Sequence, residues 1–203
     1  MDEISWSLIV PVKGLTLAKS RLAAAAGEHR EALVLAMACD TVAAALNCSL
    51  VAKVLAVTDD PRLAAELAEL GAAVAPDPGT GLNPALRYGA SLLSGAVGAM
   101  NADLPALKPA ELAQALASSE PYAFVPDRDG TGTTLYLVGA GSAFAPAFGP
   151  DSRNRHLALG ARELPAGPGL RRDVDTLQDL RAAWELGLGP RTTVIAEKIL
   201  AAQ

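Results

Sequence analysis

The sequence predicts an α/β fold: a doubly wound, mixed but mainly parallel sheet in three αβα layers, with a β-hairpin insertion. Three observations predict it. Apolar runs rich in Val, Leu and Ile are continuous rather than alternating, as in strands buried on both faces. They alternate with stretches of helical periodicity, the pattern of successive βα units. After the fourth such unit the pattern changes to two short strands around DRDGTG, a turn-rich connection of hairpin type. The 203 residues, 51% hydrophobic and 19% charged, show no internal repeat, low-complexity linker or composition break, so one domain is expected over residues 1–203. A chain of this length buries roughly 70% of its unfolded surface, and its core needs neither disulfides nor a structural metal.

The first strand is read over Ser7–Val12, ahead of a glycine-containing loop and a helix over Glu31–Leu46. Val51–Val57 is the second strand; Thr58, Asp59 and Asp60 end it, and Pro61 sits where a first helical turn tolerates proline. The next helix, Arg62–Leu70, stops at Gly71, a residue suited to a C-cap. Ala72–Ala75 is a short third strand leading into DPGTGLN, whose Asn83 and Pro84 read as the N-cap and first-turn proline of a helix over Ala85–Leu93. Ala96–Ala102 is a fourth, glycine-diluted strand ended by Asp103, and a helix over Ala110–Ala117 follows. Tyr122–Pro126 and Thr134–Val138 make the hairpin. An irregular approach, Phe144–Gly149, leads to a helix starting near Ser152. Val174–Thr176 closes a short strand before the helix Leu177–Leu186, and Thr193–Ala201 forms the last helix.

The formal charge is −5 and the 17 Lys and Arg are spread without a basic run, which excludes general nucleic-acid binding. No stretch approaches about 18 uninterrupted apolar residues, so no membrane span is expected. MDEISWS is acidic where a secretory signal is basic, and Leu8–Val12 is too short for the apolar core of one. Cys39 and Cys48 belong to no CxxC or Cys/His cluster and read as buried free thiols; a reducing cytoplasm is the expected compartment.

Doubly wound sheets bind ligands beyond the carboxyl ends of their strands, so residues just after strands carry most weight. The loop PVKGLTLAKSRL resembles a phosphate loop but is not a Walker A motif, because Gly14 stands one residue too close to Lys19 and Ala18 replaces the second glycine. What remains is a flexible turn with cations at Lys13, Lys19 and Arg21, which reads either as a polyphosphate cradle or as a solvated loop. Asp103 in NADLP, and Asp173 with Asp175 in RDVDT, stand at expected strand ends. Residues two apart on a strand share a face, and a few hard oxygen ligands suit Mg²⁺; a D-x-D beside Arg171 and Arg172 also reads as a solvated turn. In FGPDSRNRH, Gly149 and Pro150 precede a helix start at Ser152, where backbone N–H groups attract an anion and Ser152 serves equally as a plain N-cap. His156 has no Cys or second His at ligand spacing, so its role is structural or substrate-adjacent.

Taken in order, PVKGLTLAKSRL, VTDD, DPGTGLNPALRYG, DLPAL, GTGTTLYL, FGPDSRNRH and RDVDT resemble the guanylyltransferases of deazaflavin coenzyme F-420 biosynthesis. Members of that family join GMP from GTP to phosphoenolpyruvate or 2-phospho-L-lactate. The resemblance runs from about Trp6 to Leu186, and its specificity lies in the ordered set. It implies a nucleotide-diphospho-sugar-transferase-like fold, GTP and a small phosphorylated three-carbon acid as partners, and Mg²⁺ as cofactor. Residue by residue, it implies that Asp103, Asp173 and Asp175 hold Mg²⁺ and serve catalysis together with Lys19. Lys13 and Lys19 would lie along the triphosphate, Gly81 and Asn83 on the guanosine side, and Thr134, Gly149 and Ser152 against the acid. The absence of a Ser/His/Asp set agrees with this chemistry, because a phosphate monoester is already largely dianionic at pH 7 and needs no protein base to attack. Two alternatives stand beside it: a related nucleotidyltransferase using another small phosphorylated acid or a sugar phosphate, and a non-catalytic nucleotide-binding protein of the same fold.

Overall fold

Along the first strand, Leu8 and Val10 join one apolar cluster and Ile9 the other, so β1 (Trp6–Pro11) is clothed on both faces and its apolar run is unbroken. The computed structural model describes residues 5–15, 20–118 and 120–202; Lys19 lies outside them. After β1 come two single 3₁₀ turns, Ser20–Leu22 and Gly27–His29, around the short α1 (Ala23–Ala26), then the long α2 (Arg30–Leu46). The chain continues through β2 (Val51–Val57), α3 (Pro61–Glu69), β3 (Ala73–Ala75), α4 (Leu82–Ser91), β4 (Ala96–Met100) and α5 (Pro109–Leu116). It ends with β5 (Tyr122–Pro126), β6 (Thr133–Val138), α6 (Ser152–Ala158), β7 (Arg162–Glu163), α7 (Pro168–Arg171), α8 (Leu177–Leu186) and α9 (Pro190–Ala201).

The strands form one sheet in the order β3-β2-β1-β4-β6-β5-β7. Strand β6 runs antiparallel to both β4 and β5, and the other pairings are parallel. The β5–β6 hairpin thus belongs to the sheet and makes it mixed, as expected. On one face α2, α5, α8 and α9 contribute Val34, Met37, Leu112, Leu180 and Ile199 to a core with Leu8, Val54, Met100 and Leu135. On the other, Ala85 and Leu86 of α4 and Phe148 pack with Ile9, Leu55, Ala99 and Tyr136. The result is the expected three layers, with helices on both sides of the sheet. At Gly98 a Cβ would stand 2.7 Å from a Leu8 methyl and 2.9 Å from a Leu137 methyl, so the glycine that dilutes β4 is what lets these neighbours close over it.

Three expectations are corrected. Val174–Thr176 is not a strand: Val174 N–H donates to the Asp103 carbonyl, and Thr176 is the N-cap of α8, in a reciprocal capping box with Asp179. The seventh strand is instead Arg162–Glu163, two exposed residues beside β5 that no apolar pattern marks. Asn83 is not an N-cap, because α4 starts at Leu82 with Gly81 as its cap at φ 108°, a conformation that favours glycine. Ser152 is likewise inside its helix, whose N-cap is Asp151 at φ 56°.

Candidate active site

The loops after β1, β2, β3 and β4 enclose a cavity of about 720 Å³, within the ~300–1,000 Å³ typical of small-molecule sites. It lies where the strand order reverses around β1, at the carboxyl ends of the parallel strands, as the doubly wound topology requires. Val34, Met37 and Ala38 of α2 line it with apolar side chains, and Lys13 and Arg21 bring cations. Four carboxylates line it as well: Asp59 after β2, Asp77 after β3, Asp103 after β4, and Asp175 before α8.

Asp103 and the RDVDT segment are far apart in sequence, and the Val174 N–H to Asp103 carbonyl bond, 3.1 Å, brings them together. The Asp103 loop is pinned on four sides. Asn101 N–H donates to the Thr134 carbonyl of β6, and Gly189 N–H donates to the Pro105 carbonyl. Leu104 N–H donates to Thr41 Oγ1 at 3.1 Å, and that buried hydroxyl donates in turn to the Met37 carbonyl of its own helix. Asp103 and Asp175 face the cavity, and Oδ1 of Asp103 is buried; Asp173, on the other side of Val174, is not on the cavity wall. Among the described residues no group of three or more His, Cys, Asp or Glu side chains forms a metal cluster by itself. Two carboxylates on an open wall nevertheless fit Mg²⁺, which takes one or two from protein and completes its shell with water and substrate phosphates.

The loop after β1 is held by Asp60. Its Oδ1 caps α3 by accepting from Arg62 and Leu63 N–H, and its Oδ2 accepts from Leu15 N–H at 3.0 Å. Partial burial pushes the Asp60 carboxyl up, but the amide bonds from Leu15, Leu63 and Arg62 outweigh it and hold it below the ordinary carboxylate value. One side chain therefore ties the backbone of Lys13–Leu15 to the start of α3, with Lys13 and Gly14 on the cavity wall. Gly81 also lines the cavity. Asn83 does not; it faces away and exchanges two 2.9 Å hydrogen bonds with the backbone of Phe148. Arg21, one of the cations read from sequence after the first strand, is on the wall, and Asp59, Asp77 and Asn101 join it without having been assigned to it from sequence. Each follows a strand directly or lies in the loop after β1, which was the available signal.

Thr134, Gly149 and Ser152 come into one neighbourhood beside the cavity, but the two hydroxyls do not line it. Thr134 is buried with its hydroxyl 3.5 Å from the Val125 carbonyl, and the buried Ser152 hydroxyl donates to Thr133 Oγ1 at 3.2 Å. Burial requires internal partners for such groups, and the inner faces of β6 and α6 supply them. The first-turn amides of α6 are also engaged: Ser152 N–H donates to the Gly149 carbonyl and Arg153 N–H to that of Thr131. Gly149 alone of the three is exposed, at φ 117°. Between this neighbourhood and the cavity, Pro11, Leu82, Asn101 and Phe148 close over a seam too narrow for a water molecule, and the cavity wall shares the first three.

The mixed sheet of this order, with a cationic loop after β1 and a carboxylate after β4, has counterparts among solved nucleotidyltransferase structures. The structure matches a nucleotidyl transferase from Methanothermobacter thermautotroptrophicus with TM-score 0.64 at 18% identity, covering 90% of this chain and 97% of that one. It matches CMP:2-keto-3-deoxy-manno-octonic acid synthetase complexed with CTP with TM-score 0.57 at 15% identity, covering 91% and 100%. A Desulfovibrio desulfuricans G20 structure, provisionally named a nucleotide-diphospho-sugar transferase, matches with TM-score 0.75 at 18% identity, covering 95% and 94%. These likenesses establish the fold. Residues 6–164 match the family model described as guanylyl transferase CofC like, and the chain belongs to that family. It is similar to the phosphoenolpyruvate guanylyltransferases of Thermomonospora curvata, 59% identical over 97% of this chain and 91% of that one, and of Streptomyces coelicolor, 54% identical over 98% and 99%.

Proposed function

We propose that this chain is a phosphoenolpyruvate guanylyltransferase: it transfers GMP from GTP to phosphoenolpyruvate and releases pyrophosphate, as a step of coenzyme F-420 biosynthesis in the cytoplasm. The observation that carries the reading is the cavity that gathers Lys13 and Arg21 with Asp103 and Asp175 at the carboxyl ends of β1 and β4, in a chain of the guanylyl transferase family. The triphosphate lies along the Lys13–Leu15 loop, whose backbone Asp60 holds in place. Lys19, in the same loop sequence, adds a further cation on this reading. Guanosine occupies the side walled by Gly79, Gly81 and Leu82.

Asp103 and Asp175 hold Mg²⁺, with Asp173 beside them across Val174. Bound there, the ion supplies charge neutralisation for the α-phosphate and the leaving pyrophosphate. The acceptor's phosphate oxygen attacks the α-phosphorus of GTP as the bond to pyrophosphate breaks, and the protein need move no proton, because that phosphate is already largely dianionic near neutral pH. The protein's contribution is position and charge: Lys13 and Arg21 attract the phosphates, and the pinned Asp103 loop keeps its carboxylate fixed. The acceptor is received on the side of the exposed Gly149, next to the cavity wall at Pro11, Leu82 and Asn101.

The test is pyrophosphate release by purified protein with Mg²⁺ and either GTP or ATP, offered in turn phosphoenolpyruvate, 2-phospho-L-lactate, 3-phosphoglycerate and a sugar phosphate. Turnover with phosphoenolpyruvate at least tenfold above the other acceptors is expected. Equal rates for ATP and GTP, or turnover only with a sugar phosphate, would overturn the assignment.

A further inference from the structure

His156 is buried, yet nothing in the reaction described above uses it. Its ring stacks on Tyr136 with centroids 4.5 Å apart and planes at 17°, and Phe124 and Phe148 pack around it at 5.6 and 5.4 Å. An apolar residue would satisfy that pocket. The hydrogen bonds are what an apolar residue cannot supply. Ala147 N–H donates to Nε2 at 3.1 Å, and a backbone amide can only donate, so Nε2 is unprotonated. The neutral ring then carries its proton on Nδ1, which lies 2.9 Å from Thr133 Oγ1 and donates to it. Ser152 hydroxyl donates to the same Thr133 oxygen.

Those partners sit on three segments that meet beside Gly149. Ala147 precedes Phe148 and Gly149, Thr133 begins the strand that carries Thr134, and Ser152 opens the helix on which His156 stands one turn later. The segment from Ala147 to Gly149 is anchored at each residue: the Ala147 amide to His156, the Phe148 backbone to Asn83 on α4, and the Gly149 carbonyl to Ser152 N–H. No regular backbone ladder supports it, since residues 143–148 belong to no helix or strand.

We infer that His156 is a positioning residue for the acceptor side of the site: its imidazole clamps the Ala147–Gly149 segment to β6 and so sets where the acceptor's anionic end is received. The inference rests on the proposed placement of the acceptor beside Gly149. It makes a demand that a packing role does not, because the two ring nitrogens act on different segments. Gln places a side-chain oxygen near the position of Nε2 and retains an acceptor for Ala147 N–H, whereas Leu fills the pocket and retains none.

The experiment measures KM for phosphoenolpyruvate and for GTP separately, by pyrophosphate release, in the wild type, His156→Gln, His156→Leu and Gly149→Ala, after circular dichroism has established that each is folded. We expect His156→Leu to raise the phosphoenolpyruvate KM about tenfold or more, and His156→Gln about threefold, with the GTP KM within about twofold for both. A merely structural histidine would lower the active fraction, which reduces apparent kcat and leaves both KM values alone, and would tolerate Leu better than Gln. Either of those patterns overturns the inference. A raised acceptor KM in Gly149→Ala with an unchanged one in His156→Leu sinks the clamp alone. An unchanged acceptor KM in Gly149→Ala sinks the placement of the acceptor and the clamp with it.

Discussion

Lowering the pH should destabilise this protein through His156. Burial of the ring, with the nearby Arg155 charge in second place, pushes its pKa down from 6.5 to about 4. Between those values the unfolded chain binds a proton that the folded chain refuses, so stability is full above pH 6.5 and is lost as the pH falls toward 4. Linkage gives a loss of about 2 kcal/mol at pH 5 and about 3 kcal/mol at pH 4, from this one group. The physical event is the protonation of Nε2, which replaces an accepted bond from Ala147 N–H with a clash of two donors. Urea unfolding at pH 7.5 and pH 5.0, in the wild type and in His156→Gln, isolates it. Asp60, held low by its amide bonds, also loses its contribution as the pH falls through its folded value, but it does so in both proteins and cancels. With an m-value of about 1–3 kcal/mol/M, the wild-type midpoint should fall by roughly 1 M more than that of the variant. Parallel shifts in the two proteins would refute the reasoning, since they would mean that the buried ring does not resist protonation.

Other changes test the frame around the cavity. Asp103→Asn and Asp175→Asn should each lower kcat by about a hundredfold or more with little change in melting temperature, because each removes a charge from the cavity wall rather than from the core; pyrophosphate release checks this. Thr41→Val should cost about 1–3 kcal/mol in urea unfolding by leaving the Leu104 amide without its acceptor, and should lower kcat by loosening the Asp103 loop, while Thr41→Ser keeps both. Asp40→Ala should cost about 2–3 kcal/mol by unfolding measurements, since its two oxygens accept from Arg191 and Thr192 N–H, at 3.2 and 2.7 Å, at the start of α9.

What the sequence determined by itself was most of what depends on local pattern. β2, Val51–Val57, was read with its bounds intact, because its second half, Val54–Val57, is a fully buried apolar run that carries the strand past the exposed Lys53. Pro61 marked the start of α3 for a covalent reason, and Asp60 before it does cap that helix. The loop after β1 and Asp103 after β4 were legible as site residues because the winding of the sheet directs attention to strand ends. Their position on one cavity was not legible, since the Asp103–Val174 contact joins segments 71 residues apart through a single backbone bond. Asn83 was misread because Asn before Pro is a common helix start, and only the arrival of Phe148, 65 residues further along the chain, gives its amide better partners inside the helix. Tertiary structure alone decided the fate of Thr134, Ser152 and His156. Whether a hydroxyl or an imidazole meets a ligand or the interior depends on which way its element is turned against its neighbours, and here burial between β6, α6 and the segment before Gly149 turned all three inward.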